Sequence, residues 1–278
     1  MADRIITEPK PVEELIVHGY HIRPMEYLRE GWRTFTRYPT GFLGFALLFT
    51  VASQAPLVLG HVYGQFLSAL VQVIMMAGIA MAVWKQMRSD PISFVDFFPD
   101  WDTIGHLILC TIVGLLLIAG GLLLFVLPGI YLIVAYTFAY MLIIDRGFSV
   151  WQALETSRRV VNKNWWKVAG LTGLMVALMA GGTAVFSLML GLPLGAVLSQ
   201  YYPEVSLSDL PFGPSESGAV VNMGMMIGVA SGAMMGLGLG TALAGCMFGV
   251  AYADIFGLTA RRVQAVEPFA QKLPTVSS

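Results

Sequence analysis

The chain has 278 residues, 56% of them hydrophobic and 12% charged, with a formal net charge of -1. A soluble domain carries about 25% charged residues, so the polar surface that a water-exposed fold of this length needs is missing. The mean hydropathy of +0.72 agrees, and the placement of the charges is more informative than their sum.

Residues 1–24 form a polar segment of mixed charge. It has no apolar run followed by a small-residue cleavage site, so no signal peptide is expected and the first helix directs membrane insertion. Residues 25–38 predict an amphipathic helix. Met25, Leu28, Trp32 and Phe35 recur at helical spacing and share a face, with Arg29, Glu30, Arg33 and Arg37 on the others. Such a helix lies in the headgroup layer with Trp32 and Tyr38 at the interface.

A spanning helix takes about 20 mainly apolar residues. Six candidate spans follow: 41–60, 66–84, 104–127, a short one from after Pro128-Gly129 to 144, 165–190, and one within 219–258. Pro128-Gly129 is the expected break between the third and fourth, because Pro cannot continue a helix and Gly tolerates turns. A tight hairpin is the simple reading, and a re-entrant pair that never crosses is the alternative. Residues 149–164 repeat the amphipathic design: Val150, Leu154 and Val161 form a stripe, Arg158, Arg159 and Lys163 a basic side, and Trp165-Trp166 the membrane boundary. A weaker echo lies at Phe94–Asp102. The expected fold is therefore all-α and polytopic. Six transmembrane helices form three hairpins on cytoplasmic interfacial helices, with a membrane domain over 25–258 and a cytoplasmic tail over 259–278.

Orientation follows from Lys and Arg. Of the 16, six precede the first span, two lie between spans two and three, five between spans four and five, and three follow the last. The other side receives none. Its longest loop, 191–218, carries only Glu204, Asp209 and Glu216. The basic side is expected in the cytoplasm of a bacterial inner membrane, with both termini there. This bias also favours a single crossing through 219–258, centred near Met235–Met247. The basic residues set topology, and they are also candidates for anionic lipid.

Gly224, Gly228, Gly232, Gly236 and Gly240 recur every four residues, and Ala244 continues the series. On a helix they form one stripe where another backbone approaches closely. Packing within the chain is one reading; a homo-oligomer seam or a partner subunit is the other. Met223, Met225, Met226, Met234 and Met235 flank the stripe and read as gap fillers rather than Cu(I) ligands.

Polar chemistry is sparse. The span centres hold no ionisable residue, while Asp145, Asp254 and Lys85 fall at the cytoplasmic ends. Ser53, Gln54, Gln72 and Asn222 are the polar residues near or within spans, suited to interhelical hydrogen bonds or a small polar cavity. Cys110 and Cys246 sit in apolar runs and read as buried thiols. The Asp96–Asp102 segment has three carboxylates but no adjoining base or phosphate loop. Neither GxxxxGK[ST], HExxH nor GxSxG occurs. No enzyme activity, cofactor, metal or nucleic-acid partner is expected.

The stretch Leu127-Pro128-Gly129-Ile130-Tyr131-Leu132, then Ile144-Asp145-Arg146-Gly147, Trp151-Gln152-Ala153-Leu154-Glu155-Thr156-Ser157-Arg158 and Asn164-Trp165-Trp166-Lys167-Val168, resembles a widespread bacterial family of uncharacterised integral membrane proteins. These are similar to the membrane domain appended to some glycerophosphodiester phosphodiesterases. Gly31-Trp32 and Ala251-Tyr252-Ala253-Asp254 agree more loosely. The resemblance implies a six-helix membrane domain. It transfers no phosphodiesterase activity, which belongs to a separate soluble barrel. The expected function is non-enzymatic, through helix packing and contacts with lipid or a partner protein, as in an accessory subunit. The alternative is a transporter or lipid-handling protein for a neutral or amphipathic solute.

Overall fold

The computed structural model describes residues 10–56, 61–88, 90–201, 204–206 and 220–258. The C-terminal tail, Arg4, Arg261, Arg262, Lys272, Asp209 and Glu216 lie outside the described residues. Eleven α-helices follow in order among them: α1 (Val12–His18), α2 (Pro24–Arg37), α3 (Pro39–Gln54), α4 (His61–Met87), α5 (Trp101–Leu124), α6 (Val126–Ala135), α7 (Ala139–Arg146), α8 (Val150–Asn162), α9 (Trp165–Phe186), α10 (Leu192–Leu198) and α11 (Met223–Phe256). A 3-10 turn at Phe94–Phe97 precedes α5, and a π turn at Ser187–Gly191 joins α9 to α10. A short antiparallel ribbon pairs β1 (Glu204–Ser206) with β2 (Val220–Asn222), Val205 opposite Val221.

Five segments are long and apolar enough to cross a membrane: Tyr63–Met87, Phe94–Leu124, Val126–Arg146, Trp165–Leu198 and Met223–Phe256. The sixth candidate, α3, is shorter at 16 residues. The last segment is one continuous helix of 34 residues, about 51 Å long, matching the expected single passage.

α11 is the axis of the molecule. Its C-terminal half is buried almost continuously, from Gly238 to Phe256 apart from Leu239, Leu243 and Asp254. Small residues on this half receive neighbours from several sides. Gly238 faces Leu47 of α3, Gly245 and Gly249 face Ile79 and Val83 of α4, and Gly31 of α2 faces Met247. Aromatic rings close the remaining space: Phe138 lies 5.0 Å from Phe248 and 5.4 Å from Phe256, and Trp84 lies 5.1 Å from Tyr252.

Three expectations need correction. The turn between α5 and α6 is at Phe125, whose backbone is extended, and Pro128 and Gly129 sit inside α6. Pro128 occupies the first helical turn, where a missing N–H costs nothing. The Val126–Arg146 segment is broken again at Tyr136–Phe138, where no Gly or Pro stands. Finally, α2 buries Tyr27, Gly31, Thr34 and Phe35. Met25 and Trp32, expected on the membrane-facing stripe, are 73% and 54% exposed, outside that buried face. Gly31 and Tyr27 pack along α11, a protein-facing side that the expected stripe did not include, so the helix is not simply laid on the membrane surface.

Candidate functional site

The glycine stripe meets the same chain. A methyl group added at Gly240 would stand 2.7 Å from Met179 Cα, and at Gly232 2.8 Å from Gly191 Cα. Gly236 meets Gly182, Gly228 meets Gly195 and Gly224 meets Leu198, all through backbone atoms. Ala244 is fully buried further along. The opposing stripe Gly182, Gly191 and Gly195 was not singled out in the sequence. Its spacing is irregular because the π turn inserts an extra residue per turn between the first two. The partner-seam alternative thus loses this surface, which α9 and α10 already cover.

The basic segments converge around the last turns of α11. Lys10 Nζ donates to the Asp254 carbonyl at 2.8 Å, and Tyr27 Oη to Asp254 Oδ2 at 2.7 Å. Arg146 Nη2 donates to the carbonyls of Lys10 and Phe256, each at 2.9 Å. Tyr252 Oη donates to Asp145 Oδ2 at 3.1 Å. These bonds tie the N-terminal segment, α2, α7 and α11 into one platform. Gly147 ends α7 with φ 64, a left-handed position that Gly tolerates best, and the chain turns back into α8.

α8 starts on a capping box between Ser149 and Gln152 and buries Val150, Ala153, Leu154, Ser157, Val160 and Val161. Ser157 fills the break between α6 and α7: its Oγ donates to the Ala135 carbonyl at 2.7 Å and accepts from Phe138 N at 3.3 Å. The sequence signal for this was only a serine on an apolar stripe. On the outer face, Glu155 Oε1 pairs with Arg158 at 2.8 Å and Arg159 at 2.7 Å. Those guanidinium groups hold its carboxyl down at about 2. Lys85 pairs with Asp96 at 2.7 Å. Lys163 and Trp166 are exposed. Trp165 stacks on Tyr131 at 6.4 Å between centroids, while Trp32, Arg33 and Arg37 lie on the outward side of α2.

Beside α11 lies a cavity of about 400 Å³, bounded by α4, α5, α6–α7, α8 and α9. Its wall is mostly aliphatic, with Gln72, Thr111, Tyr136, Thr137, Tyr140 and Thr172 as the hydroxyl and amide groups. Thr111 and Thr137 satisfy themselves on carbonyls one turn back. Thr172 Oγ1 is buried without a partner, and among the described residues the exposed Gln72 amide has none. Lining residues Leu115, Ile133 and Val176 are 40%, 46% and 60% exposed, so the cavity opens sideways. The other polar residues of the spans are committed elsewhere. Gln54 bonds to Thr50 and Ser53 in its own helix, and Asn222 caps α11 through Met225 N. Among the described residues no group of three His, Cys, Asp or Glu side chains is placed to hold a metal.

These features define a multi-pass α-helical membrane protein with a lateral, mainly apolar cavity. No family model matches the chain, and neither a curated protein nor a solved structure matches it.

Proposed function

We propose that the protein is a non-enzymatic inner-membrane protein that holds an amphipathic, lipid-like molecule in the cavity beside α11. The observation that carries this reading is Thr172 Oγ1, buried without a partner beside the exposed Gln72 amide in a mainly aliphatic cavity open to the side. Pockets of about 300–1,000 Å³ with a few polar points suit small ligands. Unsatisfied polar groups in hydrocarbon cost free energy until a ligand headgroup or water meets them. Of the two contacts expected of the chain, lipid is favoured over a partner subunit, because the glycine stripe is occupied from within. An accessory-subunit role would have to use the outward faces of α9 and α10. The one-sided Lys and Arg support cytoplasmic termini, and the resemblance to the phosphodiesterase-appended membrane domain belongs to the same proposal.

The test fills the cavity. A side chain at Gly114 points into open space within the lining, so Gly114→Phe occupies the volume without a Cβ clash. Lipid retained after extensive detergent exchange, measured by mass spectrometry per mole of protein, is expected to fall severalfold in Gly114→Phe and in Gln72→Leu/Thr172→Val. Equal retention in all three proteins would sink the reading.

A further inference from the structure

We infer that the α5–α6 hairpin does not cross the membrane but lies in the acyl-chain region of the leaflet on the basic side, with Leu122–Leu127 as its apolar tip. Its length and hydropathy qualify it for spanning, so the case rests on what its tip stands next to.

The level of the basic platform is set by charged, exposed residues. Arg159 is 61% exposed at its side chain, and Asn162 and Lys163 are exposed beyond it. Exposed charged and polar side chains of this kind belong in water or among headgroups, not in hydrocarbon, even where one is ion-paired at the surface as Arg159 is to Glu155. Tyr131 of α6 is bonded to this level. Its Oη donates to Asn162 Oδ1 at 2.8 Å, and its carbonyl accepts from Trp165 Nε1 at 3.5 Å. From Tyr131 to Val126 is five residues, a rise of about 7.5 Å. The tip therefore cannot stand about 30 Å away, on the far side of the hydrocarbon.

The other end of the segment is at the platform as well. Arg146 is bonded to the carbonyls of Lys10 and Phe256. Both ends of Val126–Arg146 thus lie at one membrane face, and the break at Tyr136–Phe138 held by Ser157 supplies the bend. α5 follows α6, because Gly121 and Gly129 pack closely: a methyl at Gly121 would stand 3.1 Å from Gly129 N.

The tip's chemistry names its partner. Leu123, Leu124, Phe125, Val126 and Leu127 are 88%, 75%, 75%, 63% and 78% exposed, and no polar side chain interrupts them. A loop emerging into water would present polar residues. An uninterrupted apolar tip beside a basic belt and the Trp165-Trp166 pair fits the shallow acyl layer beneath anionic headgroups. Removing this pair leaves α3, α4, α9–α10 and α11 as crossings, an even number that keeps all basic segments on one side. The cavity also gains an origin: it is the gap between α4 and α9 that a crossing hairpin would have filled. The inference rests on the hairpin contacts and not on what the cavity holds.

Spin labels test it in the full chain. In a background with Cys110→Ala and Cys246→Ala, nitroxides are placed on Phe125→Cys with either Lys163→Cys or Gln200→Cys, and distances are read in nanodiscs. Positions 163 and 200 are separated by the whole of α9–α10, about 50 Å. The expected 125–163 distance is on the order of 20 Å and the 125–200 distance at least about 40 Å. In intact cells, an impermeant maleimide is expected to label Gln200→Cys and leave Phe125→Cys unlabelled. A 125–200 distance shorter than 125–163, or labelling of position 125 from outside, overturns the inference. Leu123→Cys, at a still more exposed site, replaces Phe125→Cys if that variant does not fold.

Discussion

Two apolar helix pairs in this molecule look alike by hydropathy and differ in almost everything else. α9–α10 and α11 pack glycine to glycine over two 34-residue segments, and their far ends carry Gln200, Tyr201 and the capping Asn222. α5 and α6 also meet through glycines, Gly121 and Gly129, but their shared end is an apolar tip beside the basic belt. A spanning helix is recognised by both of its ends, whereas a window of hydropathy sees only the middle. The seams differ as well. In the long pair, methyl groups would strike backbone carbonyls and Cα atoms along several turns, and in the short pair the glycine contact is confined to Gly121 and Gly129.

That contrast is broken most sharply at Gly236. A side chain there would strike the backbone of Gly182 and Thr183, which cannot rotate away. Gly236→Leu is expected to separate α9 from α11 and abolish a monodisperse preparation in mild detergent. Overpacking alone costs about 1–3 kcal/mol, and a backbone clash exceeds that range. Gly120→Leu, on α5 with nothing within 4 Å of an added Cβ, is expected to leave thermal stability unchanged. If both variants melted alike, the long seam would not be the tighter one.

Ser157→Ala sharpens the comparison from the short pair's side. The substitution strands the Ala135 carbonyl and the Phe138 N–H, both served by the serine hydroxyl. Leaving buried backbone groups unserved costs roughly 1–3 kcal/mol. The expected loss is local: faster hydrogen exchange in α6 and α7, with α9 and α11 unchanged. Ser157→Thr, which keeps the hydroxyl, is expected to recover part of the protection. Uniform loosening of the whole molecule would show that the break is not an independent unit.

How much of this was legible follows from where the information lies. The apolar runs, the single passage of α11, the glycine stripe and the Val150, Leu154, Val161 face are local patterns with fixed periods, and the sequence displays them directly. The protein-facing side of α2 was not legible. Met25, Leu28, Trp32 and Phe35 are the visible apolar stripe, whereas Tyr27, Gly31 and Thr34 become a buried side only through the groove on α11 at Met247. The break at Tyr136–Phe138 has no Gly or Pro to announce it, because its stabilising group arrives from Ser157, far along the chain. The cavity combines Gln72, Thr111, Tyr140 and Thr172 from four helices. Of these, only Gln72 stood out as a polar residue within a span. The tip was ambiguous because Leu122–Leu127 is equally apolar whether it crosses or lies shallow.

The smallest expected effect concerns the belt that the hairpin leans on. Glu155 sits between Arg158 and Arg159, with a carboxyl held at about 2 against an ordinary value of 4.5. Its folded-state pKa is depressed, so its contribution is fully present above about 4.5 and is lost as pH falls through about 2. The groups facing it are Arg158, Arg159 and Tyr136, with Tyr131 set against Arg158. Because the pair is partly exposed, solvent and salt weaken it, and the change belongs to α8 rather than to the whole fold. Acidification from pH 5 to 2 is therefore expected to lower the protection of α8 amides, read against the intrinsic exchange rate at each pH, and to change Trp165 emission, while the α9–α11 seam stays protected. Other carboxylates protonate over the same range, so Glu155→Gln is the necessary comparison. That variant is expected to show the lower α8 protection already at neutral pH and little further loss of protection on acidification. A response identical to the parent protein would assign the acid effect to other carboxylates, and α8 would then hold Tyr131 and the hairpin without help from its surface ion pairs.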